Sequence, residues 1–208
     1  MPMNGIIRIC LSALLLTVAG CAYLQGYADM AKDRGHSDAY QAALDAWTRT
    51  KTVHSQFETR ASITATLKSQ AFNRAYLDEY GRIYRLTPAQ RQQREEAQAN
   101  LRAEFTEFLV YAYTPDRDAN DFDRRNSIWR VFIMDDQGHR IEPVEIRRID
   151  PVASDMESFF PYIRKYYGNV YSLKFKPVSG MENDPGVSSG KPFKLVMTSV
   201  LASVELDW

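Results

Sequence analysis

The chain has 208 residues, 45% of them hydrophobic and 25% charged, an ordinary balance for a folded protein that excludes wholesale disorder. Its 26 Lys and Arg offset 26 Asp and Glu, which excludes the basic excess that a nucleic-acid binder uses to displace counterions from phosphates, and there is no polybasic run to hold an anionic membrane. The length fits one domain plus a short linker, large enough to bury about 70% of its unfolded surface and so to fold without a disulfide or a metal.

Residues 1–20 carry the three parts of an export signal. Arg8 and the free amine supply positive charge, Ile9 to Val18 is an apolar run too short to span a bilayer as a helix, and the small residues Ala19 and Gly20 precede a cysteine. Val18-Ala19-Gly20-Cys21 resembles the lipobox of bacterial lipoproteins. The resemblance implies a diacylglyceryl group on the Cys21 sulfur, cleavage before Cys21 and acylation of the new amine, with palmitate-like chains as the membrane anchor. Two or more acyl chains anchor stably, at about 0.8 kcal/mol per buried CH₂. Ala22, where an inner-membrane lipoprotein of enteric bacteria carries Asp, favours the outer membrane, with the mature domain in the periplasm. The organisation expected is therefore a signal peptide over 1–20, a lipidated tether over 21–36 and one β-rich domain over 37–208. Removal of the signal leaves 188 residues with 25 basic and 26 acidic groups. It also removes Cys10, so the mature chain has no disulfide, no cysteine nucleophile and no thiolate metal ligand. The resemblance ends at the cysteine and states an address, not an activity.

After the tether, Ser37 can cap a helix in which Tyr40, Ala43, Leu44 and Trp47 share one face. From Val53 to Leu67 polar and apolar residues alternate with a period of two: Val53, Phe57, Ala61, Ile63, Ala65 and Leu67 on the odd side, His54, Gln56, Glu58, Arg60, Thr64 and Thr66 on the even side. This predicts a long strand, odd face buried and even face wet, interrupted by a bend, bulge or break because its full reach would be about 50 Å. A helical insertion is expected over about 69–104. Phe72, Tyr76, Tyr80 and Tyr84 recur every four residues, and Thr87-Pro88-Ala89-Gln90 has the composition of a capped start to a second, very polar helix marked by Ala97 and Leu101.

Phe105 to Thr114 is apolar on both faces and predicts a central strand, and Ile128 to Met134 predicts another. Asp135-Asp136-Gln137-Gly138 supplies turn chemistry, after which Ile141 to Ile149 is expected to return as a partner strand with Pro143 at an edge. Tyr171, Leu173 and Phe175 alternate with Ser172, Lys174 and Lys176; Met181 to Pro192 has loop composition; Val200 to Trp208 alternates as a last strand. Six or seven strands joined by turns, with an N-terminal helix and a helical insertion, predict a mainly β (α+β) fold: an antiparallel, immunoglobulin-like β-sandwich. The strands are too few and too polar for an outer-membrane barrel, despite the terminal Trp208.

His36, His54 and His139 share no metal-ligand spacing, and His54, Glu58 and Arg60 read as a solvated strand face. The loop holding Asp116, Asp118, Asn120, Asp121 and Asp123 opens like an EF-hand, but Asp121 takes the glycine position and Ser127 the place of the closing glutamate. No metal and no cofactor is expected; Asp116, Asp118 and Asn120 are the candidate ligands should that loop bind an ion. Gly186 to Pro192 is one residue short of a phosphate loop and has proline where Ser or Thr is needed. Phe159-Phe160-Pro161-Tyr162-Ile163, with Tyr166, Tyr167 and Tyr171, fits either interface anchors or core. The expectation is a non-enzymatic envelope lipoprotein, a binding or assembly module held to the membrane by its lipid, with an envelope protein as partner and no nucleic acid. The alternative is a periplasmic hydrolase working through paired carboxylates.

Overall fold

A run of antiparallel strands, each too narrow to make a core alone, builds two facing sheets. The computed structural model describes residues 35–177 and 192–208. The lipobox, the first part of the tether and most of the Met181–Pro192 segment, including Gly186 to Lys191, lie outside these residues. Asp38–Trp208 forms one unit. Its elements in order are α1 (Asp38–Trp47), β1 (Thr48–Ser55), β2 (Glu58–Leu67), α2 (Gln70–Tyr84), α3 (Pro88–Glu104), β3 (Thr106–Tyr113), β4 (Arg130–Asp135), β5 (Arg140–Ile141), β6 (Glu145–Ile149), α4 (Ser154–Phe159), β7 (Asn169–Phe175), β8 (Phe193–Thr198) and β9 (Ser203–Asp207).

One sheet has the order β1-β2-β3-β7-β6, the other β5-β4-β8-β9, with every pairing antiparallel. Setting β1 aside, β2 to β9 follow the immunoglobulin order: β2-β3-β7-β6 stand as A-B-E-D and β5-β4-β8-β9 as C′-C-F-G. The fold is therefore a mainly β α+β sandwich with an extra edge strand β1, an N-terminal helix, and the helices α2 and α3 inserted between its first two immunoglobulin strands. Ile63, Phe108, Val110, Leu173 and Phe175 from the first sheet bury themselves with Ile133, Leu195, Met197, Val204 and Leu206 from the second. Phe108 meets Phe175, Phe193 and Trp208 edge to face, and Trp208 stacks on Phe193 at 5.8 Å. Arg49 Nε donates to the Asp207 carbonyl (2.8 Å) and Trp208 Nε1 to that of Trp47 (3.2 Å), so β1 is tied to β9 across the open side of the sandwich.

The long alternating segment is two strands, not one. Val53 to Leu67 folds back at Gln56-Phe57, with Ser55 paired to Glu58 and a bulge beside His54. A two-residue turn preserves the alternation of residue types across it, and no Gly, Asn or Asp marks it; Gln56 adopts φ 57° instead. Phe57, at an odd position expected in the core, stands fully exposed at the tip. The even face is not wet throughout either. Thr64 and Thr66 are buried, because helices cover the outer face of this sheet, and their hydroxyls are satisfied in pairs: Thr48 with Thr66 (2.7 Å), Thr50 with Thr64 (2.9 Å), Thr52 with Ser62 (2.8 Å), and Thr66 with Tyr162 Oη (2.7 Å).

Ile141 to Ile149 is likewise split. Arg140–Ile141 pairs with β4 in one sheet, whereas Glu145–Ile149 pairs with β7 in the other. Pro143 lies in the crossover, where its missing N–H costs no ladder bond. The last segment is a hairpin: Phe193–Thr198 is a strand that its sequence pattern did not announce, and Val200 is 93% exposed in the turn rather than on a buried face. The described residues thus hold nine strands against an expected six or seven.

The helices keep their signatures. Ser69 caps α2, accepting from Phe72 N at 3.1 Å, and the helix ends at Arg85 in the left-handed region. Thr87 and Gln90 close the capping box of α3, which has no buried residue. The aromatic ladder of α2 packs Tyr76 against Phe159 (4.9 Å) and Phe160 (6.0 Å), and Tyr40 of α1 against Phe159, whose carbonyl accepts from Tyr40 Oη at 2.7 Å. Phe159, Phe160, Ile163 and Tyr171 are thereby core; Tyr166 and Tyr167 are the exposed members of that aromatic stretch.

Candidate functional site

Side chains alternate along a strand, so the residues of β3 that flank core Phe108 point the other way, toward the helices. Glu107 and Leu109 do so, and register sets Lys174 opposite Glu107 and Ser172 opposite Leu109, with Arg147 of β6 next to Ser172. With Ile149 these groups floor a cavity of about 330 Å³, within the range of small-molecule sites, about 300–1,000 Å³. Phe72, Asn73 and Tyr76 of α2, with Met156 and Phe160 from α4 and its end, form one wall. Gln98, Leu101 and Arg102 of α3, with Phe105, form the other. Apolar and aromatic side chains make much of the walls, and charged side chains share the floor and walls with them.

Those charges are mostly cationic. Lys68, Arg102, Arg147 and Lys174 line the cleft, and Glu107 is the one carboxylate among the described residues that do. Glu107 is engaged: Lys68 Nζ lies 3.1 Å and Ser172 Oγ 2.8 Å from its Oε1. Lys174 pairs with Glu145 (2.6 Å), and Arg147 reaches the same carboxylate at 3.9 Å. The Lys174 ammonium, by hydrogen bonding, holds the Glu145 carboxyl below its ordinary range. Burial pushes the Tyr76 phenol up to about 12, with Asp155 adding to the shift. It is thus a neutral hydrogen-bonding group, not a phenolate. In a chain whose total charges cancel, this local excess of cations reflects placement, not composition.

The wall made by α3 is held from one side. Arg91 bonds Asp78 of α2 and Arg94 lies 4.6 Å over the Tyr80 ring, yet Leu101 is 46% exposed and no α3 residue is buried. An element with so little buried apolar surface can shift at low free-energy cost.

The residues singled out in sequence lie elsewhere. In the acidic loop, Asp116 Oδ1 accepts from the Asp118 amide (2.9 Å), and Asp116 and Asp118 are exposed. Asn120 is buried and spent on the fold: its amide donates to the Ala112 carbonyl (2.7 Å), and Tyr171 Oη donates to its backbone carbonyl (2.7 Å). Asp121 accepts from Ser127 (2.9 Å). Among the described residues no three His, Cys, Asp or Glu side chains could share a metal ion. His54 is exposed near Thr59, and Arg60 and Glu58 form an exposed pair at 3.7 Å. Cys21 lies outside the described residues. The structure brings none of the described ones, Asp116, Asp118, Asn120, Asp121, His54, Glu58 or Arg60, to the cleft. Its polar residues were hidden because Lys68, Glu107, Arg147 and Ser172 meet only through strand register; the local hints were the aromatic residues Phe72, Tyr76 and Phe160 and Leu101, an isolated apolar residue on a polar helix.

No helix among the described residues is long and apolar enough to cross a membrane. No family model and no curated protein matches the chain. Among solved structures it is similar to a protein of unknown function from Burkholderia pseudomallei, with a TM-score of 0.42 and 12% sequence identity over 89% of this chain and 88% of that one.

Proposed function

We propose that this protein is a non-enzymatic lipoprotein of the bacterial envelope, anchored through Cys21 in the outer membrane, whose sandwich binds an amphiphile with an anionic head. The observation that carries the reading is the cleft beneath α3: a cavity of about 330 Å³ lined by apolar and aromatic side chains together with an excess of cations. Apolar walls gain by burying a hydrocarbon body. The lining cations favour a carboxylate or phosphate head, Arg102 and Arg147 offering fork geometry. The lipid anchor supplies the context, since it keeps the domain beside membrane amphiphiles. Carboxylate hydrolysis needs two acids facing one cleft, with one pKa raised; here Glu107 stands alone among the described lining residues and is held by Lys68 and Ser172.

Calorimetric titration of the full chain with dodecanoate and with dodecanol tests this. Dodecanoate is expected to bind saturably with a negative heat-capacity change, and more tightly than dodecanol. Leu101→Trp, which fills the mouth without touching the core, should abolish both; Arg102→Gln should narrow the difference between them. Absence of binding, or binding indifferent to Leu101→Trp, overturns the proposal.

A further inference from the structure

At the opposite end of β3 and β7 from that cleft lies a second cavity, of about 320 Å³, between the β3–β4 loop and the turn at 164–168. Its character is different. Among the described residues that line it none is Leu, Ile, Val, Met or Phe; Arg117, Arg124, Arg148 and Lys165 converge on it, and Asp118 is the one acid. Lys165 leans on Glu157 (3.2 Å) and Arg148 loosely on Asp150 (3.7 Å), whereas no ion pair among the described residues engages Arg117 or Arg124. Arg117 and Arg124, which no ion pair among the described residues neutralises, face the same concavity, and a concave wall focuses their potential on it.

The floor is rigid. Asn120 is 6% exposed and tied to Ala112 (2.7 Å), Tyr171 (2.7 Å) and Asn169 (3.0 Å). Gly168 lies so close to β3 that a Cβ there would stand 2.4 Å from the Ala112 carbonyl oxygen. That packing fixes the turn and with it Tyr166 and Tyr167, which are 76% and 65% exposed at the rim. Exposed aromatic faces beside hydrogen-bonding side chains and unpaired guanidinium groups suit a ligand with a flat, partly apolar face, several hydroxyls and a negative charge.

We propose that this cavity binds a small anionic saccharide, a sugar ring bearing phosphate or carboxylate. Arg117 and Arg124 take the charged group, for which their fork geometry is suited. Tyr166 or Tyr167 covers one face of the ring, and the polar lining meets the hydroxyls. A nucleobase is disfavoured because the lining offers no apolar slot to enclose it. This site is independent of the amphiphile cleft, with which it shares no lining residue.

The test is titration of the full chain with glucose 6-phosphate, glucuronate, glucose, inorganic phosphate and adenosine monophosphate, followed by calorimetry and amide chemical shifts. Glucose 6-phosphate and glucuronate are expected to bind saturably, more weakly as salt rises; glucose is not expected to bind, and phosphate alone only weakly. Shifts should centre on Arg124, Gly168 and Asn169. The double substitution Arg117→Gln, Arg124→Gln should weaken both charged sugars by about tenfold or more, and Tyr166→Ala, Tyr167→Ala should weaken them toward the affinity of phosphate. Thermal melting of the variants checks the fold; should either melt early, the shift map on the native chain decides. No saturable binding of either charged sugar, equal binding of glucose or of phosphate alone, tighter binding of the nucleotide, or shifts centred elsewhere overturns the proposal.

Discussion

The hairpin at Gln56-Phe57 separates two physical pictures of the same fifteen residues, and three substitutions decide between them. Ile63 is completely buried between the sheets, so Ile63→Ala removes apolar contact and leaves a cavity; such truncations cost about 2–5 kcal/mol. Phe57, one of the largest apolar side chains in the segment, is fully exposed at the turn, and Phe57→Ala should cost about 0.5 kcal/mol or less. Thr64 is 6% exposed and shares a 2.9 Å hydrogen bond with Thr50, so Thr64→Ala should cost about 1 kcal/mol, more than an exposed polar site would. Urea denaturation reads all three. With a slope of about 2 kcal/mol per M, a loss of about 3 kcal/mol moves the midpoint of Ile63→Ala by about 1.5 M, against a total stability of about 5–15 kcal/mol. Phe57→Ala should superimpose on the parent curve at unchanged slope. A midpoint for Phe57→Ala as low as that of Ile63→Ala would mean that the odd face is buried throughout, and the hairpin would be refuted together with the register of β1.

Gly168→Ala places a Cβ 2.4 Å from a backbone oxygen that cannot rotate away, and should destabilise by about 1–3 kcal/mol by thermal melting, with the loss absent at exposed Gly138→Asn. Burial raises Tyr76 and Tyr171 to about 12, above the ordinary 10. A folded pKa raised above the unfolded one gives stability that is full below pH 10 and is lost as pH climbs to about 12, so phenolate absorbance should show these residues ionising only as the fold opens; early titration of every tyrosine would contradict the packing. Cys21→Ser should abolish lipid attachment and leave the precursor uncut or soluble, and mass spectrometry of the native N-terminus should find acylated Cys21; an unmodified peptide with a different start would end the lipoprotein reading.

Much of the fold was legible because its determinants are local. Thr87, Pro88 and Gln90 specify a helix start through bonds within one turn. The four-residue rhythm of Phe72, Tyr76, Tyr80 and Tyr84 specifies a helix face, and the two-sided apolarity of Phe105 to Thr114 specifies a strand covered on both sides, which β3 is. What misled was also physical. Alternation survives a two-residue turn, so Val53 to Leu67 resembled one strand. Thr66 is covered by Tyr162, which arrives from about a hundred residues later in the chain, and threonine satisfies either a wet or a covered face as long as a hydroxyl lies across from it. Pro143 announced an interruption, but which sheet each half would join depends on partners elsewhere.

By itself the sequence determined the type of most elements, the capped start of α3, the mainly β character and the resemblance of residues 18–21 to a lipobox, since each rests on neighbours close in the chain; it did not announce α4 or β8. Tertiary structure alone decided the immunoglobulin strand order, the division of Ile141 to Ile149 between two sheets, and both cavities. A cavity is made where the register of β3 against β7 and β6 puts Glu107, Ser172 and Arg147 on one face, and where Arg117, Arg124, Arg148 and Lys165 converge from three separate stretches of chain. No local pattern encodes such convergence, because side chains far apart in sequence become neighbours only once the sheets have closed.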